Sequence, residues 1–364
     1  MQSRIIVFVV PSLGAGGAER IVTNLANAWV RSGRDIIIIT LLDDKKPFYP
    51  LDSRIKVNPI ANVHNIVNRF THVLGGLGTI SPLRRVLKTI KPDVIFGFLP
   101  QVNVLTVLAS LGLDAKLILS ERNNIRMRKI PMKWQILRWV SYRFSDIVTI
   151  NNEINRQYLA SIVPEKKIVY VPNPIVFPES NSKQEVLTRR KILLAVGRLT
   201  DQKGFDLLLK AYSRTKARHL GWTIEIVGEG PDRDILDEII DRNNLQRVVT
   251  LNPPELDLSS YFNSATVFVL PSRYEGTPNA LLEAIGYGLI PIVSDNLGTI
   301  SNQIANVDQN VLFKNGSICD LAKCIDNIVD LLVYDQYDLR RFDSVLEPYE
   351  QTNALEYWDR LITS

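Results

Sequence analysis

The sequence predicts an α/β protein made of two doubly wound, Rossmann-like domains facing across a cleft. Short β-branched runs alternate with longer helical patterns along the whole chain, as parallel sheets with crossover helices require. The alternation halts at a proline-rich stretch near the middle and then begins afresh. The chain is 364 residues long, more than the roughly 250–300 that a single core usually supports. Apolar residues make up 46%, enough to fill two cores and too many for a disordered chain.

In the first half, strands are predicted at residues 5–10, 36–41, 94–98, 117–120 and 147–150. Each is a short Val-, Ile-, Leu- or Phe-rich run, as a strand covered on both faces needs. Residues 19–32 read as a helix because Ile21, Leu25, Ala28 and Trp29 recur at three- and four-residue spacing. The polar stretch 171–184 carries three prolines and reads as a linker. The second series predicts strands at 192–196, 222–227, 248–251, 267–270 and 290–293, with helices at 205–215, 233–243 and 277–287. Residues 335–364 read as a helical segment, rich in Tyr, Trp and Arg, that packs back on the first domain. The expected limits are therefore 1–175, 176–334 and 335–364.

Charge divides the same way. The total is 43 Lys+Arg against 38 Asp+Glu, a net of +5. Residues 1–175 hold 24 basic and 11 acidic side chains, a net of +13, and residues 176–364 hold a net of −8. A uniformly basic protein is excluded, and the first half is suited to an anionic partner. Cys319 and Cys324 alone make neither a disulfide framework nor a four-ligand zinc site, and read as ordinary thiols of a reducing cytoplasm. The apolar run at the N-terminus is too short for a secretory signal, and no run approaches the roughly 18–20 residues needed to span a bilayer. A cytoplasmic, soluble or peripheral protein is expected.

Four loops carry candidate chemistry. The first strand runs into Gly14-Ala15-Gly16-Gly17-Ala18-Glu19-Arg20 and a helix, which fits either a tight turn or an anion site at the helix N-terminus. It is neither a Walker A loop nor a G-x-G-x-x-G. The second domain opens on Gly197-Arg198-Leu199-Thr200-Asp201-Gln202-Lys203-Gly204. An Arg fork and a Lys point charge suit a diphosphate whose charge grows as it leaves, although two solvated cations would look the same. Gly228-Glu229-Gly230-Pro231 follows a buried strand and permits close ligand approach. The next residues, Asp232 and Asp234, form an Asp-x-Asp that fits a helix start better than a metal site. Finally, Ser272-Arg273-Tyr274-Glu275-Gly276-Thr277-Pro278-Asn279-Ala280 leads to Glu283, placing two carboxylates along one extended ligand. Helix-start N–H groups over 277–280 would hold a phosphate, except at Pro278. Two acids alone would fit a glycosidase, but the phosphate-binding features around them argue otherwise.

Together these motifs resemble family 4 of the retaining glycosyltransferases, which have the GT-B fold. Gly-Gly-Ala-Glu-Arg, Gly-Arg-Leu-x3-Lys-Gly and Glu-Gly-x-Pro-x3-Leu-Glu-Ala occur in the family's order over essentially the whole chain, and Glu-x7-Glu is the most specific part. The first domain would then bind acceptor and the second a nucleotide-sugar donor. The resemblance implies that Arg198 and Lys203 neutralise the donor diphosphate, with Glu275 on the sugar hydroxyls and Glu283 on the ribose. Arg198, Lys203 and Glu275 would form the catalytic set. Gly16, Gly17, Gly228, Gly276, Thr277, Asn279 and Ala280 would complete the donor site. Transfer would retain anomeric configuration, with the departing phosphate oxygen as base and no metal or other cofactor. Where many relatives carry a His, this chain has Arg122 within Ser120-Glu121-Arg122-Asn123-Asn124, and none of His64, His72 or His219 replaces it. That run is similar to those of bacterial polysaccharide and lipid-linked oligosaccharide transferases.

Between residues 122 and 145, seven cations and no acid are interleaved with tryptophans. Arg122, Arg126, Arg128, Lys129, Lys133, Trp134 and Arg138 are expected to meet an anionic membrane or the pyrophosphate of a polyprenyl-linked acceptor. A solvated basic face with buried tryptophans is the alternative. No nucleic-acid-binding module is recognisable. The expected activity is transfer of a hexose or N-acetylhexosamine, from a UDP-sugar, to a lipid-linked glycan of a bacterial surface polysaccharide such as O-antigen or capsule. It would take place on the inner face of the cytoplasmic membrane. The rivals are a nucleotide-sugar epimerase on the same scaffold and a non-catalytic sugar-nucleotide-binding protein.

Overall fold

A computed structural model of the chain describes residues 4–42, 46–60, 77–127, 130–177, 189–333 and 339–363. The chain divides into two units, Met1–Pro174 with Thr352–Ser364, and Ile175–Gln351.

The first unit is built on a parallel sheet of seven strands: β1 (Ile5–Val10), β2 (Asp35–Thr40), β3 (Lys56–Pro59), β4 (Val94–Phe98), β5 (Lys116–Glu121), β6 (Ile147–Ile150) and β7 (Ile168–Tyr170). Their spatial order is 3-2-1-4-5-6-7. Successive β1 residues point to opposite faces, and both faces are covered. Val7 and Val9 join Ile39, Ile95 and Leu119 in one core. Phe8 and Val10 join Trp29, Phe96 and Phe98 in the other, where Trp358, Leu361 and Ile362 of the C-terminal helix Gln351–Thr363 also pack. The C-terminal helix therefore supplies part of this unit's core.

The second unit repeats the design with six parallel strands: β8 (Arg190–Val196), β9 (Thr223–Val227), β10 (Val249–Asn252), β11 (Ala265–Leu270), β12 (Ile290–Ser294) and β13 (Leu312–Phe313), in the order 10-9-8-11-12-13. One continuous core covers it, from Leu193 and Leu194 on β8 to Ile325 and Ile328 on the helix Ile318–Val333. Short helical turns from Leu339 to Tyr349 belong to this unit, and Ile175 bridges to Glu350 within it.

Three strands were not expected from sequence: β3 and β7 at the edges of the first sheet, and the two-residue β13 at the edge of the second. The helix expected from 277 begins at Asn279, with Pro278 as its extended N-cap. A residue before proline is biased away from helical dihedrals, so Thr277 stays outside.

Candidate active site

In each sheet the winding reverses once, and the carboxyl ends of the two strands flanking a reversal form a binding crevice. In the second unit those strands are β8 and β11, which pair directly. β8 runs through Gly197 into Arg198–Lys203, and Gly204 (φ 67°) turns the chain into the helix Phe205–Tyr212. A Cβ on Gly204 would strike the Pro271 carbonyl oxygen after β11, and one on Gly228 would strike the Gly197 carbonyl oxygen. These two glycines let the loops after β8, β9 and β11 pack backbone to backbone. For Gly228, this loop packing is the contact that its missing side chain permits.

The packing brings Lys203 and Glu275 together across 72 residues of sequence. Lys203 Nζ donates to Glu275 Oε1 at 2.5 Å, and Ser272 Oγ donates to the same oxygen at 2.8 Å. Glu275 is buried and Lys203 is half-buried, its aliphatic stem lying against Gly197. Glu283 is buried on the helix Asn279–Gly286, and Gly276 is buried in the loop before it. Thr277, Asn279 and Ala280 are half-buried at the helix start. Arg198 is exposed, and among the described residues its guanidinium makes no ion pair.

Behind this pair lies a contact that motif reading missed. Arg273 forks onto Asp206, with Nη1 to Oδ1 at 2.9 Å and Nη2 to Oδ2 at 3.1 Å. Its Nη1 also donates to the Asp201 carbonyl at 2.6 Å. Burial opposes ionisation of Asp206, but the hydrogen bonds and charge of Arg273, with help from Lys210, outweigh it and hold the carboxyl below its usual range. The Asp-x-Asp lies nearby, with Asp232 at the N-cap position and Asp234 exposed in the first turn of the helix Arg233–Arg242. Asp232 makes no side-chain capping bond. Among the described residues no cluster of three His, Cys, Asp or Glu is arranged to hold a metal ion.

In the first unit the winding reverses at β1 and β4. Gly16 is the extended N-cap (φ −97°) and Gly17 the first residue of the helix Gly17–Arg31, so both stand at the carboxyl end of β1.

Three basic-stretch residues need correction, because they are interior. Arg122 donates through Nε to Ser120 Oγ (2.5 Å), Nη2 to Thr149 Oγ1 (2.8 Å), and Nη1 to the Val171 carbonyl (3.0 Å) and Asn173 Oδ1 (3.3 Å). Burial pulls its guanidinium down to about 9, with Tyr170 and Glu121 opposing, so it stays cationic at neutral pH. Trp134 is 1% exposed, and Arg138 is buried with Nη2 donating to Tyr158 Oη at 2.6 Å. None of the three presents its functional group to a surface. Arg126 and Lys133 are exposed, whereas Arg128 and Lys129 lie outside the described residues. The exposed face of the helix Met132–Ser141 instead carries Met132, Lys133, Ile136, Trp139 and Val140, followed by Arg143 and Phe144. Ile136 is 57% exposed and Trp139 48%, with the Arg143 guanidinium 3.6 Å from the Trp139 ring centroid.

His219 is exposed just before β9, at the opposite end of that strand from the loops described above. His64 and His72 lie outside the described residues. Cys319 is exposed and Cys324 buried on one helix, both unpaired with sulfur.

Family comparison accounts for both units. Residues 15–176 match the model of Glycosyltransferase Family 4, and residues 177–332 match that of the Glycosyl transferases group 1. The chain belongs to the family 4 glycosyltransferases. An uncharacterized glycosyltransferase of Haemophilus influenzae is 25% identical over 363 residues, covering 98% of this chain and 99% of that one. A Campylobacter jejuni enzyme is 26% identical over 364 residues, covering 98% of each chain. Its name describes an α-1,4-N-acetyl-D-galactosaminyltransferase acting on a diNAcBac-PP-undecaprenol-linked glycan. Among solved structures, Anabaena HepE in complex with UDP-glucose superposes with a TM-score of 0.78 at 14% identity, covering 99% of this glycosyltransferase and all of that chain. That likeness gives the fold, GT-B. No helix among this glycosyltransferase's described residues is long and apolar enough to cross a membrane.

Proposed function

We propose that this glycosyltransferase moves a hexose or N-acetylhexosamine from UDP to a polyprenyl-pyrophosphate-linked glycan, with retention of anomeric configuration. The observation that carries the donor half is the Lys203–Glu275 pair on the loops that follow the two strands flanking the reversal in the second sheet. Breaking the sugar–phosphate bond puts new negative charge on the departing diphosphate. A preorganised ammonium and an exposed guanidinium are the groups that stabilise such charge. Lys203 would share its charge between Glu275 and the diphosphate, while Arg198 would reach the phosphates from the loop surface. Glu275 Oε1 already accepts from Lys203 and Ser272, so Oε2 is the oxygen for a sugar hydroxyl. Glu283 would take the ribose hydroxyls. Gly276, Thr277, Asn279 and Ala280 would line the phosphates and sugar from the helix start.

The base is the departing phosphate oxygen, without a metal. The interior placement of Arg122 supports this route, because a guanidinium with every nitrogen engaged can neither accept a proton nor reach a substrate. On the acceptor side, the Campylobacter relative's lipid-linked acceptor and the basic, tryptophan-bearing face over 132–144 support a lipid pyrophosphate in an anionic membrane. The protein would then work as a peripheral enzyme on the cytoplasmic face.

The test is incubation with a panel of UDP-sugars and polyprenyl-pyrophosphate saccharides, read by mass spectrometry. An acceptor heavier by one sugar residue supports the proposal. A donor epimerised without acceptor would replace it with the epimerase reading, and UDP-sugar binding without any conversion would leave a binding protein.

A further inference from the structure

We infer that Arg273 is a positioning residue for the transfer, setting the place of the Lys203 ammonium through its fork onto Asp206. The inference rests on the donor-site reading above. Lys203 ends the short helical turn Asp201–Lys203 in the connection between β8 and the helix Phe205–Tyr212, and a lysine stem ordinarily samples many rotamers. Its neighbours on both sides are tied to the β11 loop. On one side the Arg273 N–H donates to the Gln202 carbonyl at 2.8 Å, Gln202 Nε2 donates to the Tyr274 carbonyl at 3.0 Å, and Arg273 Nη1 reaches the Asp201 carbonyl at 2.6 Å. On the other side the fork holds Asp206, three residues after Lys203, at 2.9 and 3.1 Å.

The clamp is itself anchored, since Asn315 Nδ2 donates to the Arg273 carbonyl at 2.7 Å. Glu275 stands two residues from Arg273 on the clamped loop, and Lys203 is enclosed by the three residues it grips. The fork and the Asp201 contact are the part of this clamp that depends on the Arg273 side chain, and they hold the two segments that carry Lys203 and Glu275. Guanidinium geometry is required, because two parallel bonds to a carboxylate fix orientation and an ammonium fixes only distance. Arg273 acts through Asp201, Gln202 and Asp206 and needs no contact with substrate, which is what separates it from Lys203 and Glu275.

The test is a double-mutant cycle on the intact protein. Arg273→Lys and Asp206→Asn are compared with wild type in turnover of the active UDP-sugar, and in UDP affinity by calorimetry. Both are repeated in a Lys203→Ala background. Displacing a reacting group by about 1 Å costs on the order of a hundredfold. Each single variant should accordingly lower kcat by at least about tenfold and weaken UDP binding, with acceptor KM little changed and a native circular-dichroism spectrum at the assay temperature. In the Lys203→Ala background the same substitutions should have no further effect on either quantity. Independent, additive losses, or wild-type kcat in Arg273→Lys, would overturn the positioning role alone. Wild-type protein that neither binds UDP nor converts a UDP-sugar would instead overturn the donor-site reading. The calorimetric cycle needs no turnover, so an inactive Lys203→Ala protein still decides the matter.

Discussion

The guanidinium of Arg122 lies over the ring of Trp358, 4.6 Å from its centroid, although 236 residues separate them in sequence. Trp358 Nε1 donates to the Pro172 carbonyl at 3.0 Å, and Arg122 Nη1 donates to the Val171 carbonyl at 3.0 Å. One stacked pair thus ties the end of β5, the chain leaving β7 and the C-terminal helix into one block. Arg122 is therefore a structural keystone of this unit.

Substitution of either partner should therefore cost stability. Trp358→Ala removes a fully buried aromatic from the Phe8–Trp29–Phe96–Phe98 cluster and is expected to cost about 3–5 kcal/mol. Arg122→Met strands the acceptors on Ser120, Thr149 and Val171 and is expected to cost about 3 kcal/mol. Arg122→His cannot reach all of them and should be destabilised comparably. Denaturant titration followed by tryptophan fluorescence checks this, and an Arg122→His protein as stable as wild type would contradict it.

Acid should erase the contribution of Asp206. Its carboxyl ionises below the usual range in the folded protein, so its stabilisation is fully present above the unfolded value of about 3.9. It is lost as pH falls through the lower folded value. Asp206→Asn should be about 1–2 kcal/mol less stable than wild type at pH 7. Melting curves should show that gap constant down to about pH 5 and closing below about pH 4. A gap that widens on acidification would mean the fork is not an ion pair.

The two tryptophans of one helix should behave oppositely. Ile136→Ser with Trp139→Ser removes exposed apolar side chains and should weaken binding to anionic vesicles by about tenfold without lowering the melting temperature. Trp134→Ser should lower the melting temperature instead, because Trp134 is in the core. Raising salt should weaken vesicle binding, as screening of Lys133 and Arg143 requires. Equal binding to neutral vesicles, or an unchanged affinity in the double variant, would remove the membrane face from the account.

Central strands and motif loops were legible in the sequence, because the inner strands are short apolar runs covered on both faces and β1, β8 and β9 run into glycine-bearing loops. Three of the four edge strands, β3, β7 and β13, were not. β3 is Lys-Val-Asn-Pro with every residue exposed, and β13 has two residues, so neither carries a periodic signal. The basic stretch was misread for a different reason. Its helix has apolar residues on both sides, Trp134 with Leu137 and Ile136 with Trp139, and composition does not say which side meets the sheet. The partners that bury Arg122 and Arg138 are Thr149, Val171, Tyr158 and Trp358, scattered along the chain without a motif. Arg273 and Asp206 are 67 residues apart and were invisible for the same reason.

The central claim is that Lys203 and Glu275 form the charge-handling pair of a transferase. Its most direct measurement is kcat for sugar transfer in Lys203→Ala and Glu275→Gln, with folding checked by circular dichroism. Loss of one preorganised electrostatic donor predicts a fall on the order of a hundred- to a thousandfold in Lys203→Ala, with a similar fall in Glu275→Gln and a native spectrum in both. Folded variants that transfer sugar within about threefold of the wild-type rate would contradict the assignment, because that difference corresponds to less than 1 kcal/mol of barrier.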